Sequence, residues 1–123
     1  MCLDVIIISQ VMIKGLIMIS DRKITTAIKR LIEVYSPLEV YVFGSFVWGS
    51  PSEYSDLDIL VIIDQSNEKV YKRPIKGIKA LKGLKISKDI IVYTRDEFDQ
   101  MSQELSSLCY KIKNEGRKVY EAA

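Results

Sequence analysis

Two aspartates one residue apart open an apolar run, and a Gly-Ser pair closes the apolar run before it. Gly44 and Ser45 follow VYVF at 40–43, and ten residues separate Ser45 from Asp56 in the run SDLDILVII at 55–63. The pattern predicts one strand that runs into a tight turn and a second strand that begins with carboxylates. Successive strand side chains point to opposite faces, so Asp56 and Asp58 share one face while Leu57 and Ile59 take the other. Neighbouring carboxylates at the head of an apolar strand repel each other and are costly to desolvate unless a cation lies between them. Hard divalent cations such as Mg²⁺ take one or two carboxylates together with substrate phosphates. A glycine lets the backbone approach an anionic ligand closely, and a helical turn after it offers N–H groups to phosphate oxygens. The chemistry these residues suit is that of a metal–nucleotide site.

With those residues in place, the stretch resembles the signature of the DNA polymerase β superfamily of nucleotidyltransferases, a Gly-Ser followed ten residues later by Asp-x-Asp. It is most similar to the minimal nucleotidyltransferases, small single domains often encoded beside a HEPN-domain toxin. The resemblance covers 20–121 and includes NEGRKVY at 114–120. It implies a polymerase β-like core in which a third acidic residue, on the following strand, completes the metal site; Asp89 in KDIIV at 88–92 occupies that position. It further implies two Mg²⁺ ions held by Asp56, Asp58 and Asp89, with Asp89 also taking the proton of the attacking hydroxyl. Gly44 and Ser45 would cradle the phosphates of a nucleoside triphosphate, ATP above all. The implied acceptor is a tyrosine hydroxyl of a cognate HEPN toxin, which makes the chain an antitoxin that transfers AMP. One departure stands out: similar proteins often carry arginines just after the Gly-Ser, where this chain has Phe46 and Trp48.

The elements that must position these residues follow from periodicity. Ser20 or Asp21 can cap a helix whose apolar positions, Ile24, Ala27, Ile28, Leu31 and Tyr35, recur at helical spacing. Pro37 ends it. Strands are expected over 38–43, 56–64 and 89–93, with a short helical turn over 46–49. A basic helix is expected over 68–84, with Pro74 as a kink or late start and Val70, Ile78 and Leu81 toward the core. Thr94 and Glu97 have capping-box spacing for a last helix with the stripe Phe98, Met101, Leu105, Leu108 and Ile112, stopped by Gly116. Val119 and Tyr120 can add a closing strand. The architecture read from this pattern is α+β: a small mixed sheet with helices packed on it.

Composition narrows the alternatives. The 123 residues suit one modest core, 48% of them apolar and 28% charged. There is no histidine, so His-based triads, His-metal sites and a His base are excluded. Cys2 and Cys109 fit no metal spacing, Cys109 reads as a buried free thiol, and with nothing to suggest an oxidising compartment the cytoplasm is the default. The net charge is +2, yet eight Lys or Arg and no acids fall within 69–88; elsewhere ten basic residues face 16 acidic ones, a net of −6. Such a block reads as a solvated face, a rim that attracts phosphates, or a dock for an acidic partner. Nucleic acid is disfavoured, since aromatics are not interleaved through the block and no binding motif is present. The apolar segment 1–19 is interrupted by Asp4, Gln10 and Lys14, has no basic lead and falls short of a span. It is either an extra strand or hairpin, or an extension before a start at Met12 or Met18, with the nucleotidyltransferase-like domain over 20–123.

Three readings of function compete on this basis. The first is the Mg²⁺-dependent transferase just described. The second is a binding module that neutralises a partner by contact, favoured by Phe46, Trp48 and the apolar segment. The third is an enzyme acting on a small molecule. A partner or second subunit is expected to complete the cleft, because a domain of this size builds half of one.

Overall fold

The computed structural model describes residues 21–49 and 55–123. The expectations for 1–19 and for a cap at Ser20 lie outside the described residues, and the side chain of Asp21 is not described. Helix α1 spans Asp21–Tyr35. Ile24, Ala27, Ile28, Leu31 and Tyr35 are all buried on its inner face. Burying a side chain such as Ile24 or Leu31 contributes roughly 1.5–3 kcal/mol. The helix ends where Ser36 turns left-handed at φ 45°, ahead of Pro37.

Four strands follow: β1 (Glu39–Phe43), β2 (Leu57–Ile63), β3 (Lys88–Thr94) and β4 (Arg117–Glu121). Their order in the sheet is β3-β2-β1-β4. β1 runs antiparallel to both β2 and β4, and β2 runs parallel to β3. Parallel neighbours require a crossover; here it is a 3-10 turn at Val70–Lys72 followed by α3 (Pro74–Ala80). α2 (Ser45–Trp48) is the single turn after β1. α4 (Arg95–Met101) and α5 (Leu108–Glu115) lie between β3 and β4. The fold is α+β with a mixed sheet, as expected.

Alternation sorts the strand residues onto two faces. Val40, Val42, Leu57, Ile59, Val61, Ile90 and Val92 pack with α1 and Leu81. Tyr41, Phe43, Leu60 and Ile62 pack with Phe98, Cys109 and Ile112 on the other side. Asp58 and Asp89 belong by alternation to this second face, at the end where β2 and β3 begin. The buried free Cys109 matches the sequence reading. Among the described residues no helix is long and apolar enough to cross a membrane.

Two elements differ from expectation. The basic segment is a short 3-10 turn and a seven-residue helix, with Pro74 in its first turn. Leu81 is buried, but Val70 and Ile78 are 40% and 49% exposed. The helix phase is set by Tyr35, whose hydroxyl donates to the Arg73 carbonyl and accepts from Gly77 N–H at 3.0 Å. A Cβ on Gly77 would lie 2.8 Å from that hydroxyl, so the glycine must face inward and Ile78 turns out. The last helix is two helices, and Leu105 and Leu108 are 77% and 44% exposed rather than core. Serines divide it. Ser102 donates to Asp99 O at 3.0 Å, and Ser107 donates to Met101 O at 2.7 Å while accepting from Tyr110 N–H as the cap of α5. Such side chains give the backbone partners outside the helix and so end it.

Candidate active site

The Gly-Ser turn and the carboxylate strand meet. β1 and β2 pair with Phe43 opposite Asp58, so Gly44, the next residue, comes against the Asp58 side chain. Gly44 has φ +80°, a region closed to most L-residues. A Cβ there would overlap Asp58 Oδ2 and lie 2.9 Å from its Cγ. Glycine is therefore needed twice at this position, for its dihedral and for its missing side chain. Its carbonyl accepts from Val47 N–H at 2.9 Å and Trp48 N–H at 2.8 Å, which starts α2 and sets Ser45 as its first residue, half-buried.

The parallel register of β2 and β3 pairs Asp58 with Asp89. Asp58 is half-buried and Asp89 exposed. Burial first, then the like charges of Asp89 and Asp56, push the Asp58 carboxyl above the usual carboxylate range. Asp56 stands just ahead of β2 and is exposed; its Oδ1 accepts a hydrogen bond from the Ser87 hydroxyl. Leu57 N–H also bonds Ser87 O at 2.9 Å, so the two chains are tied one step before the paired aspartates. The structure thus places all three aspartates at the same end of β2 and β3 and brings Gly44 onto Asp58. Among the described residues it does not gather three carboxylates tightly enough to grip an ion by themselves.

Ser87 is the residue that the sequence reading missed. Its signal is available only once Asp58 and Asp89 are taken as parallel partners, because Asp56 and Ser87 each stand two residues ahead. Phe46 and Trp48, by contrast, are used in packing. Phe46 is 2% exposed within the α1 side of the core. Trp48 packs at a tilt against Phe43, ring centroids 5.9 Å apart, and donates from Nε1 to Glu115 O at 2.9 Å. Lys111 Nζ lies 4.2 Å above its ring, which puts a positive charge beside α2. Arg73 leaves the basic rim altogether. It is 5% exposed and forms a fork with Glu97 at 2.6 and 3.1 Å, its Nε donating to Glu68 O.

The comparisons with known proteins bear on this geometry. The model of the nucleotidyltransferase domain family matches residues 22–119. The chain belongs to that family. A solved structure from Sulfolobus solfataricus, assigned as a nucleotidyltransferase, is similar at 26% identity with a TM-score of 0.50. The match covers 76% of this chain and 79% of that one. No curated protein matches the chain. Membership brings general nucleotidyl transfer, with a nucleoside triphosphate as substrate and a divalent metal as the family's usual cofactor. The residues present fit such an ion. All the donors are oxygens, two aspartates pair in register, and the missing Gly44 side chain lets the Asp58 carboxylate lie against the turn that would receive phosphates.

Proposed function

We propose that this nucleotidyltransferase domain moves a nucleoside monophosphate, AMP from ATP, to a hydroxyl, and that the acceptor is a tyrosine of a cognate HEPN-type toxin. The observation that carries the reading is the contact between Gly44 and Asp58 beside Asp89, which joins the two halves of the motif in one place. In this reading Asp56, Asp58 and Asp89 hold Mg²⁺, and Gly44 and Ser45 receive the phosphates. The bound ions would neutralise charge on the attacking and leaving oxygens. The acceptor hydroxyl forms a bond to the α-phosphorus while the bond to the bridging α–β oxygen breaks. Pyrophosphate leaves, and the hydroxyl proton passes to Asp89. Ser87 orients Asp56 by its hydrogen bond. Burial first, and the like charges of Asp89 and Asp56 second, raise the affinity of Asp58 for a proton, and a bound cation would offset both. The resemblance in the motif supports the antitoxin assignment, with the toxin or a second copy of the chain supplying the other wall of the cleft. The compartment that suits this role is the cytoplasm.

The test is incubation with α-labelled ATP and Mg²⁺, with and without the protein encoded by the adjacent gene. Label is expected on that protein, and none with Asp56→Asn/Asp58→Asn. Mg²⁺ is expected to raise the melting temperature of the wild type but not of the double variant. A second reading has its own observation: Phe46 and Trp48 are built into packing where arginines would serve phosphates. On that reading the domain neutralises its partner by contact. Tight co-purification of the neighbour with both forms, without label, would select it.

A further inference from the structure

The crossover between β2 and β3 carries more exposed apolar surface than its role as a connector needs. Of six large exposed hydrophobic residues among those described, four lie here: Val70 at 40%, Tyr71 at 69%, Ile75 at 48% and Ile78 at 49%. Their spacing is ordered. Arg73, Gly77 and Leu81 face inward and are buried. Tyr71, Ile75 and Ile78 follow at intervals of four and three, which makes one stripe along the 3-10 turn and α3. Lys72, Lys76 and Lys79 repeat the same intervals one position on and form a parallel stripe of charge. Lys76 Nζ is held 4.8 Å over the Tyr35 ring, so part of the charged stripe is anchored. No acidic residue falls within 69–88.

We propose that this face docks a protein partner through an acidic helix with a single apolar stripe. Each feature of the surface finds its complement there: aliphatic side chains against Tyr71, Ile75 and Ile78, and carboxylates against Lys72, Lys76 and Lys79. A nucleic acid would engage the lysines but leave the aliphatic stripe against phosphates and water. A lipid surface would need a longer amphipathic element than a seven-residue helix whose isoleucines are half sunk in their own domain. The surface lies over the α1 side of the sheet, and the paired aspartates belong to the other face. The docking face is therefore separate from the site of transfer.

The experiment titrates the full chain into a fluorescent peptide of leucine and glutamate, about 18 residues long, designed as such a helix. Ile75→Ser/Ile78→Ser and Lys72→Glu/Lys79→Glu are compared with the wild type, circular dichroism confirming that each is folded. Binding to the wild type is expected, with loss of roughly tenfold or more in each double variant. It is also expected to weaken by roughly tenfold between about 0.05 and 0.5 M salt. Asp58→Asn is expected to bind as the wild type does, whatever the outcome of the transfer assay. Absence of peptide binding, or equal binding by the wild type and both variants, overturns the proposal. So does variant-sensitive binding to phosphatidylserine vesicles or duplex DNA in place of the peptide. A dimer of the chain that either variant dissociates would assign the face to a second copy instead.

Discussion

Gly44 is where a single atom decides the site. An alanine there must hold φ 80° and ψ −153°, a region essentially reserved for glycine that costs about 1–3 kcal/mol, and must also displace the Asp58 carboxylate. The carboxylate would have to turn away from the Gly-Ser turn, beside an Asp89 that stands next to it in register. Gly44→Ala is therefore expected to lose about 1–3 kcal/mol of stability. Transfer by the folded variant should fall further than that loss explains, since Asp58 is held out of place. Urea denaturation and the label-transfer assay on one preparation check both halves. Full transfer with Gly44→Ala would mean that the contact with Asp58 is incidental.

At the scale of elements, one side chain serves two. Glu97 accepts from Thr94 N–H at 2.8 Å and so completes the capping box of α4, while its carboxylate holds Arg73 at the head of α3. Glu97→Gln keeps the shape and removes the charge, leaving the Arg73 guanidinium buried without its ion pair. Breaking a buried pair from one side costs about 3–5 kcal/mol; with Glu97 about a third exposed, a loss of about 2 kcal/mol is expected. Thermal unfolding checks it, and an unchanged midpoint would show that α3 does not depend on this fork. The two halves of Glu97's role also show what the sequence makes legible. The capping box is local, three residues apart, and was readable directly, as were the strands from their alternation and α1 from its stripe. The fork to Arg73 spans 24 residues and left no local pattern. The phase of α3 was hidden likewise, since it depends on Tyr35 meeting Gly77 across 42 residues. The break between α4 and α5 was written locally, in Ser102 and Ser107, but the apolar stripe through Leu105 was the louder signal. In the candidate site, Gly44 and the aspartates announced themselves by spacing; Ser87 needed the register of β2 on β3.

For the whole molecule, two carboxylates join its parts around α4. Glu39 on β1 pairs with Arg95 on α4 and with Lys118 on β4, each at 2.8 Å, while Glu97 pairs α4 with the crossover. Burial pushes the Glu39 carboxyl up, but hydrogen bonds from Lys118 and Arg95 outweigh it and leave it below the usual range. The hydrogen bond from Arg73 holds Glu97 lower still, from 4.5 to about 2. Both are depressed in the folded state, so each contributes stability that is complete above the unfolded value and lost as pH falls through the folded one. Asp58, raised instead, acts in the opposite direction and gains on acidification. From these two carboxylates, folding stability is therefore expected to be complete by about pH 5 and to fall as pH drops from 4.5 toward about 2. Trp48, the single tryptophan, bridges α2 and α5 and reports that unfolding by its fluorescence. Glu97→Gln should make the acid limb shallower, and Glu39→Gln/Glu97→Gln shallower again, because each removes a group that must take up a proton to unfold. Urea titrations at each pH measure the slope. Equal acid limbs in the wild type and the double variant would place the acid sensitivity in other carboxylates, and these ion pairs would then not be what holds the helices and sheet together.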